Sequence, residues 1–117
     1  MNQKFKQVFQ AIDNSDTEAF LNYLTDDAVF RFANIPAIEG KHNIGEFLEK
    51  FFGSIKHTSH QNIKEWNAGD TWFITGTVEY TRLDGSQLKV PFANQFNMSY
   101  GKIKDYLIFV DNSELYK

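Results

Sequence analysis

The period of the hydrophobic pattern changes once along this chain, near residue 57, and that switch limits the fold more than any other feature. Before it, apolar residues recur at helical spacing. Phe5, Val8, Phe9 and Ile12 form one stripe, which predicts a helix over residues 2–13. Asn14-Ser15-Asp16 interrupts the stripe, and Ser15 or Asp16 can cap a second helix with Glu18 in its first turn and Phe20, Leu21 and Leu24 on its apolar side. Asp26-Asp27 reads as a helix-to-strand turn, residues 28–32 as a short strand, and residues 33–40 as a loop containing Pro36. Residues 43–55 return to helical spacing, with Ile44, Phe47, Leu48, Phe51 and Phe52 on one side. Beyond residue 57 the period is two, and strands are predicted at 59–67, 71–82, 87–99 and 102–112. The turns between them are Ala68-Gly69-Asp70, Leu83-Asp84-Gly85-Ser86 and Tyr100-Gly101. Helices first and consecutive hairpins afterwards imply an α+β fold, with helices packed on one face of an antiparallel sheet. A chain of 117 residues has room for one domain, 1–117, and for a core that needs no covalent staple.

Several function classes are disfavoured at once. There is no cysteine, so disulfides, thiol catalysis and zinc–thiolate sites are excluded. Residues 1–58 carry six basic and eight acidic groups and residues 59–117 carry six and seven, so no basic lobe exists and no nucleic acid is expected as a partner. Unbroken apolar runs such as Leu107-Ile108-Phe109-Val110 are too short to span a bilayer, so no membrane is expected and a cytoplasmic location is the expectation. No Gly-rich phosphate loop and no nucleophile elbow occurs, so no cofactor is expected. His57 and His60 lie three apart where a helix runs into a strand, and nothing supplies a third ligand, so no metal is expected.

Alternation assigns faces to the long strands. Trp72, Ile74, Gly76, Val78 and Tyr80 share one side of 71–82, and Phe92, Asn94, Phe96 and Met98 share one side of 87–99. Tyr106, Ile108 and Val110 oppose Asp105, Leu107, Phe109 and Asp111, so the last strand is apolar on both faces. Two-sided hydrophobicity implies that its outer face is covered, as by a second subunit. Aromatics make up 16% of the residues, twelve of them Phe, which suits a lined hollow on the even-numbered face.

The order and spacing of several short segments resemble the SnoaL-like polyketide cyclase group of the nuclear transport factor 2-like superfamily. They are Asn14-Ser15-Asp16-Thr17-Glu18-Ala19-Phe20, Leu24-Thr25-Asp26-Asp27-Ala28-Val29-Phe30, Ile38-Glu39-Gly40-Lys41, Ala68-Gly69-Asp70, Phe96-Asn97-Met98-Ser99-Tyr100-Gly101-Lys102-Ile103 and Phe109-Val110-Asp111. The resemblance implies a cystatin-like cone: a curved antiparallel sheet wrapped by three N-terminal helices, commonly a homodimer through the outer sheet face, with a ligand site at the mouth. It does not imply one reaction, because that scaffold hosts cyclases, isomerases, epoxide hydrolases, dehydratases and non-catalytic binders. The places that resemble ketosteroid isomerase's Tyr, base and protonated Asp hold Val8, Phe32 and Asn94, which argues against that reaction. The places that resemble the epoxide hydrolase relay hold Phe30, Phe32, Gly76, Val78 and Ile108, so that route is absent too. Related cyclases rely on an acid and a His deep in the pocket; Asp105 and Asp111 are the nearby acids, and alternation points both outward.

The candidate pocket residues are Phe30, Phe32, Trp72, Tyr80, Asn94, Phe96, Tyr106 and Ile108. Asn94 sits between Phe92 and Phe96 on its face, where an amide either bonds a ligand carbonyl or satisfies a neighbouring buried group. Tyr106 offers a phenol donor, or packs as core with its hydroxyl at the rim. Trp72 suits plain core as well as lining. His60 is the candidate acid or base at the mouth, and His42 suits a solvated helix start. The expected ligand is a small hydrophobic carbonyl compound, and the expected chemistry, if there is turnover, is that of a lyase or isomerase using Asn94, Tyr106 and His60. The alternative is a non-catalytic dimeric adaptor on the same fold.

Overall fold

A computed structural model describes residues 4–116. The chain runs through α1 (Lys6–Asp13), α2 (Thr17–Leu21), β1 (Leu24–Phe32), β2 (Ile38–Glu39), α3 (Lys41–Ser54), β3 (His57–Ala68), β4 (Thr71–Thr81), β5 (Gln87–Ser99) and β6 (Lys102–Val110). It is a mixed α+β fold, a curved six-stranded sheet in the order β2-β1-β6-β5-β4-β3 with three helices against its concave face. Of the first predicted helix, residues 2 and 3 lie outside the described residues, and Phe5 caps α1 with its own N–H bonded to the Glu65 carboxylate at 3.2 Å.

The hairpin half follows the predicted strands closely, and the turn chemistry explains why. Tyr100 and Gly101 both adopt positive φ, 51° and 81°, and Ser99 pairs with Lys102 across them. That two-residue turn matches the twist of the strands it joins.

The helical half departs from expectation in three places. α2 ends at Leu21, so Leu24 opens β1 and is fully buried there instead of lying on a helix. Asp16 caps α2 by accepting from Ala19 N–H at 3.1 Å, and Ser15 turns the chain with φ 53°. Asp26 and Asp27 are exposed residues within β1, not a turn; they sit where the register with β6 shifts between Leu24 and Val29. Lys41 reaches Asp26 at 3.5 Å, and Thr25 donates to Asp27 at 2.9 Å. Finally, the sheet is not wholly antiparallel. β1 lies parallel to β6, pairing Phe30 with Tyr106 and Phe32 with Ile108, because the chain between them returns to the same end of the sheet.

The core is aromatic and lies between α1, α2 and the sheet. Tyr106 and Phe96 are fully buried with ring centroids 4.3 Å apart, and Phe20 and Phe5 close over them at 5.2 and 4.8 Å. Burying each such ring contributes on the order of 2–3 kcal/mol.

β3 carries a bulge. Its pairing with β4 shifts between Gln61 and Lys64, with Asn62 at φ 57°. The Gln61 carbonyl rests against Gly76, where a side chain would lie 2.7 Å from that oxygen and 3.0 Å from the Phe92 ring. Only glycine lets the strands approach so closely. The bulge also reverses the face parity of β3, so His60 and Glu65 both point inward, opposite Val78 and Ile74.

Candidate active site

A chamber of about 40 Å³ lies on the concave face where the helices leave the sheet uncovered. β1 contributes Phe30 and Phe32, α3 contributes Leu48 and Phe51, β4 contributes Val78 and Tyr80, and α1 contributes Ile12. Its polar atoms come from β3, β5 and β6: Thr58 and His60, Asn94, and Tyr106.

Two of these polar groups have no hydrogen-bond partner among the described residues. Asn94 Oδ1 and the Tyr106 hydroxyl are both buried without a hydrogen bond, although Asn94 is only 3% exposed and Tyr106 is fully buried. Buried polar atoms are ordinarily satisfied, because an unpaired one costs about 1–3 kcal/mol. The two lie on adjacent strands on one face, Asn94 opposite Ile108 and Tyr106 opposite Phe96. Burial pushes the Tyr106 phenol well above its ordinary value, and the nearby Asp13 charge adds to this, so at neutral pH it is a neutral O–H donor.

His60 is held by Asp13, the last residue of α1. Its Nδ1 lies 2.6 Å from Asp13 Oδ1 and its backbone N–H donates to Oδ2 at 2.9 Å, while the Thr58 hydroxyl donates to Oδ1 at 2.9 Å. Burial alone would raise the Asp13 pKa; the bonds from His60 and Thr58 and the His60 charge outweigh it, and the carboxyl is held below its ordinary 3.8. An ionised carboxylate only accepts, so the proton in this contact sits on Nδ1. Phe9 and Phe92 pack the ring at 4.9 and 5.3 Å and fix its plane.

Phe30, Phe32, Tyr80, Asn94, Tyr106, Ile108 and His60 therefore border one hollow. Trp72 and Phe96 do not. They pair across β4 and β5 beyond Asn94, where Phe5 packs on Trp72 at 5.5 Å and on Phe96 at 4.8 Å and fills the space. Lys4 Nζ lies 5.8 Å over the half-buried Trp72 ring. Alternation gave their face correctly but carries no information on depth along the strand. His42 is exposed and pairs with Glu46 at 2.9 Å. Asp105 accepts from Asn97 at 2.9 Å, outside the chamber. Among the described residues no group of three or more metal-ligating side chains occurs. Asp13 was missed, although a signal existed: it stands four residues after Phe9, a carboxylate in register with an apolar stripe.

Outside the chamber is a groove of about 630 Å³ that shares Phe32 and Phe51 with it. Phe47, Lys50 and Ser54 of α3 form one wall, and the segment after β6, Asp111 to Ser113 with Tyr116, forms another. That segment is pinned. Arg82 donates to the carbonyls of Leu115 and Glu114, each at 2.9 Å, Leu115 is buried, and the Ser54 and Tyr116 hydroxyls lie 2.7 Å apart.

A family model for the SnoaL-like domain matches residues 5–106. The chain belongs to the SnoaL-like family. The cone resembles a candidate polyketide cyclase from Xanthomonas campestris pv. campestris, with TM-score 0.86 at 16% identity over 96% of this chain and 90% of that one. It also resembles TerC co-crystallised with polyporic acid, at TM-score 0.84 and 18% identity over 97% and 92% of the two chains. An NTF2-like protein from Anabaena variabilis superposes at TM-score 0.82 and 22% identity over 93% and 84%. At these identities the likeness is one of fold, nuclear transport factor 2-like. Comparison with curated proteins returns no match. No helix among the described residues is long and apolar enough to cross a membrane.

Proposed function

We propose that this SnoaL-like protein binds a small hydrophobic carbonyl compound in the chamber and acts on it as a lyase or isomerase. The observation that carries this reading is the pair of buried, unpartnered atoms, Asn94 Oδ1 and Tyr106 Oη, on the wall that His60 also borders. A hydroxyl without an acceptor and an amide oxygen without a donor are left waiting for a molecule that supplies both. The Tyr106 O–H donates to the ligand's carbonyl oxygen, and Asn94 accepts from a hydroxyl or enol beside it. His60 Nε2 removes a proton from the carbon next to the carbonyl, and the electron pair moves onto oxygen to give an enolate held by Tyr106. Asp13 stabilises the imidazolium so formed. His60 then returns the proton to another carbon, completing an isomerisation, or to a departing group, completing an elimination. The co-crystallisation of TerC with polyporic acid supports a ligand-binding use of this fold.

The reading includes one domain over 1–117, a cytoplasmic location and a homodimer through the outer sheet face. Trp66 and Phe73 pair across β3 and β4 on that face and are 52% and 43% exposed, and Phe109 of β6 is 57% exposed. A chamber of only about 40 Å³ also favours a second reading, in which that dimer is a non-catalytic adaptor. The experiment is a binding screen of hydrophobic ketones by ligand-detected NMR, on wild type and Asn94→Leu. Binding by wild type and its loss in the folded variant is the expected result. A wild type that binds no carbonyl compound overturns the ligand reading in favour of the adaptor.

A further inference from the structure

The chamber is too small for a ring. An engineered apolar cavity that holds benzene measures about 150 Å³, and this one measures about 40 Å³, room for a few atoms around Asn94 and Tyr106. The groove outside is an order of magnitude larger, at about 630 Å³, and its floor is apolar, from Phe47, Ile35 and Val110. Among the described residues the two spaces share Phe32 and Phe51, whose rings meet edge to face at 5.2 Å.

From this geometry we infer that the site has two compartments separated by Phe51, and that its ligand is an elongated molecule, a narrow carbonyl terminus in the chamber and a longer apolar body in the groove. The inference deepens the proposed function and rests on it. Phe51 is the specificity-determining residue. It projects from α3, is only partly buried, and packs on Phe32, on Phe47 at 6.4 Å and on Tyr80 at 6.4 Å. Phe32, by contrast, is 7% exposed and fixed in β1 beside Ile108. The half-buried ring on the helix is therefore freer to change rotamer than the buried one fixed in the sheet. A fused polycycle meets this partition broadside; an acyl chain or a single substituent passes it end-on. Much of the outer compartment comes from residues 110–116, which lie beyond the stretch matched by the family model. The shape of the body that fits is thus set in part by the segment after β6.

The test measures binding of 2-butanone, 2-hexanone, 2-decanone and 2-acetonaphthone to wild type, Phe51→Ala and the milder Phe51→Leu by ligand-detected NMR, with methyl shifts of Ile108 and Val78 reporting the chamber and those of Ile35 and Val110 the groove. In wild type, affinity rises about twofold or more per added methylene from 2-hexanone to 2-decanone as the tail gains apolar contact. 2-Decanone shifts both methyl sets, and 2-acetonaphthone is excluded. Phe51→Ala or Phe51→Leu admits 2-acetonaphthone with at least a tenfold gain. Equal affinity for short and long ketones, or variants that admit nothing new, overturns the two-compartment inference while leaving the proposed function standing. Failure of wild type to bind any of the four overturns both.

Discussion

Replacing Asn94 with leucine should make the protein more stable while abolishing ligand binding. The side chain is 3% exposed, its Oδ1 has no partner, and its same-face neighbours on β5 are Phe92 and Phe96. Leucine keeps the branched outline of the amide but is bulkier, and the added bulk is taken up by the open chamber that residue 94 borders. What is removed is an unpaired buried carbonyl, a cost of about 1–3 kcal/mol, and what is added is apolar contact. We expect a gain of about 1–2 kcal/mol. An unfolding entropy of about 2.1 cal/mol/K per residue gives roughly 0.25 kcal/mol/K for 117 residues, so that gain raises Tm by about 4–8 °C. Urea unfolding followed by far-ultraviolet circular dichroism, together with a thermal melt, measures it. A variant destabilised by 1 kcal/mol or more would show that Oδ1 is satisfied in the native state, and the argument that it awaits a ligand would fail. The mechanism is the ordinary conflict between a prepared site and a content core.

The remaining expectations use the same geometry. Asp13→Asn keeps the shape but weakens the acceptor of three hydrogen bonds, and should cost about 1–3 kcal/mol at pH 7. Because the Asp13 pKa is depressed in the folded state, this contribution is present above the ordinary 3.8 and is lost as pH falls through the folded value; the gap between wild type and variant should close in acid urea titrations, and a pH-independent gap refutes the coupling. Tyr80 and Tyr106 are both raised by burial from 10.0. The folded state holds those protons more tightly, so stability is complete below pH 10 and should be lost as pH rises above it, with a shallower loss in Tyr106→Phe. Gly76→Ala forces a methyl to within 2.7 Å of the Gln61 carbonyl and should destabilise by about 1–3 kcal/mol; a neutral result would mean that the β3 bulge yields freely. Phe73→Glu should convert a dimer to monomer in sedimentation equilibrium, and an unchanged mass would exclude the outer face as the interface.

The hairpin half was legible because period-two alternation and turn chemistry are local properties. Tyr100-Gly101 and Asp84-Gly85 bound strands whose limits differ by a residue or two from those observed. Leu24 was misplaced because an apolar residue one turn past a short helix looks the same as one opening a strand, and tertiary pairing with Ile103 decided it. The parallel β1–β6 contact and the two-residue β2 have no local signature. For the site, Asn94 stood out as an amide in an apolar row, whereas Asp13 meets His60 across 47 positions of sequence. Trp72 and Phe96 share the right face, but whether they touch the hollow depends on where Phe5 comes down.

The Arg82 guanidinium ties the segment after β6 to the turn of the β4–β5 hairpin. In the proposed reading, the polar groups of the chamber sit on β3, β5 and β6, whereas part of the outer groove is built by the segment after β6. On the reading proposed above, substitutions among residues 111–116 would retailor which bodies the outer groove admits, alongside the Phe51 partition, while Asn94, Tyr106 and His60 keep their positions.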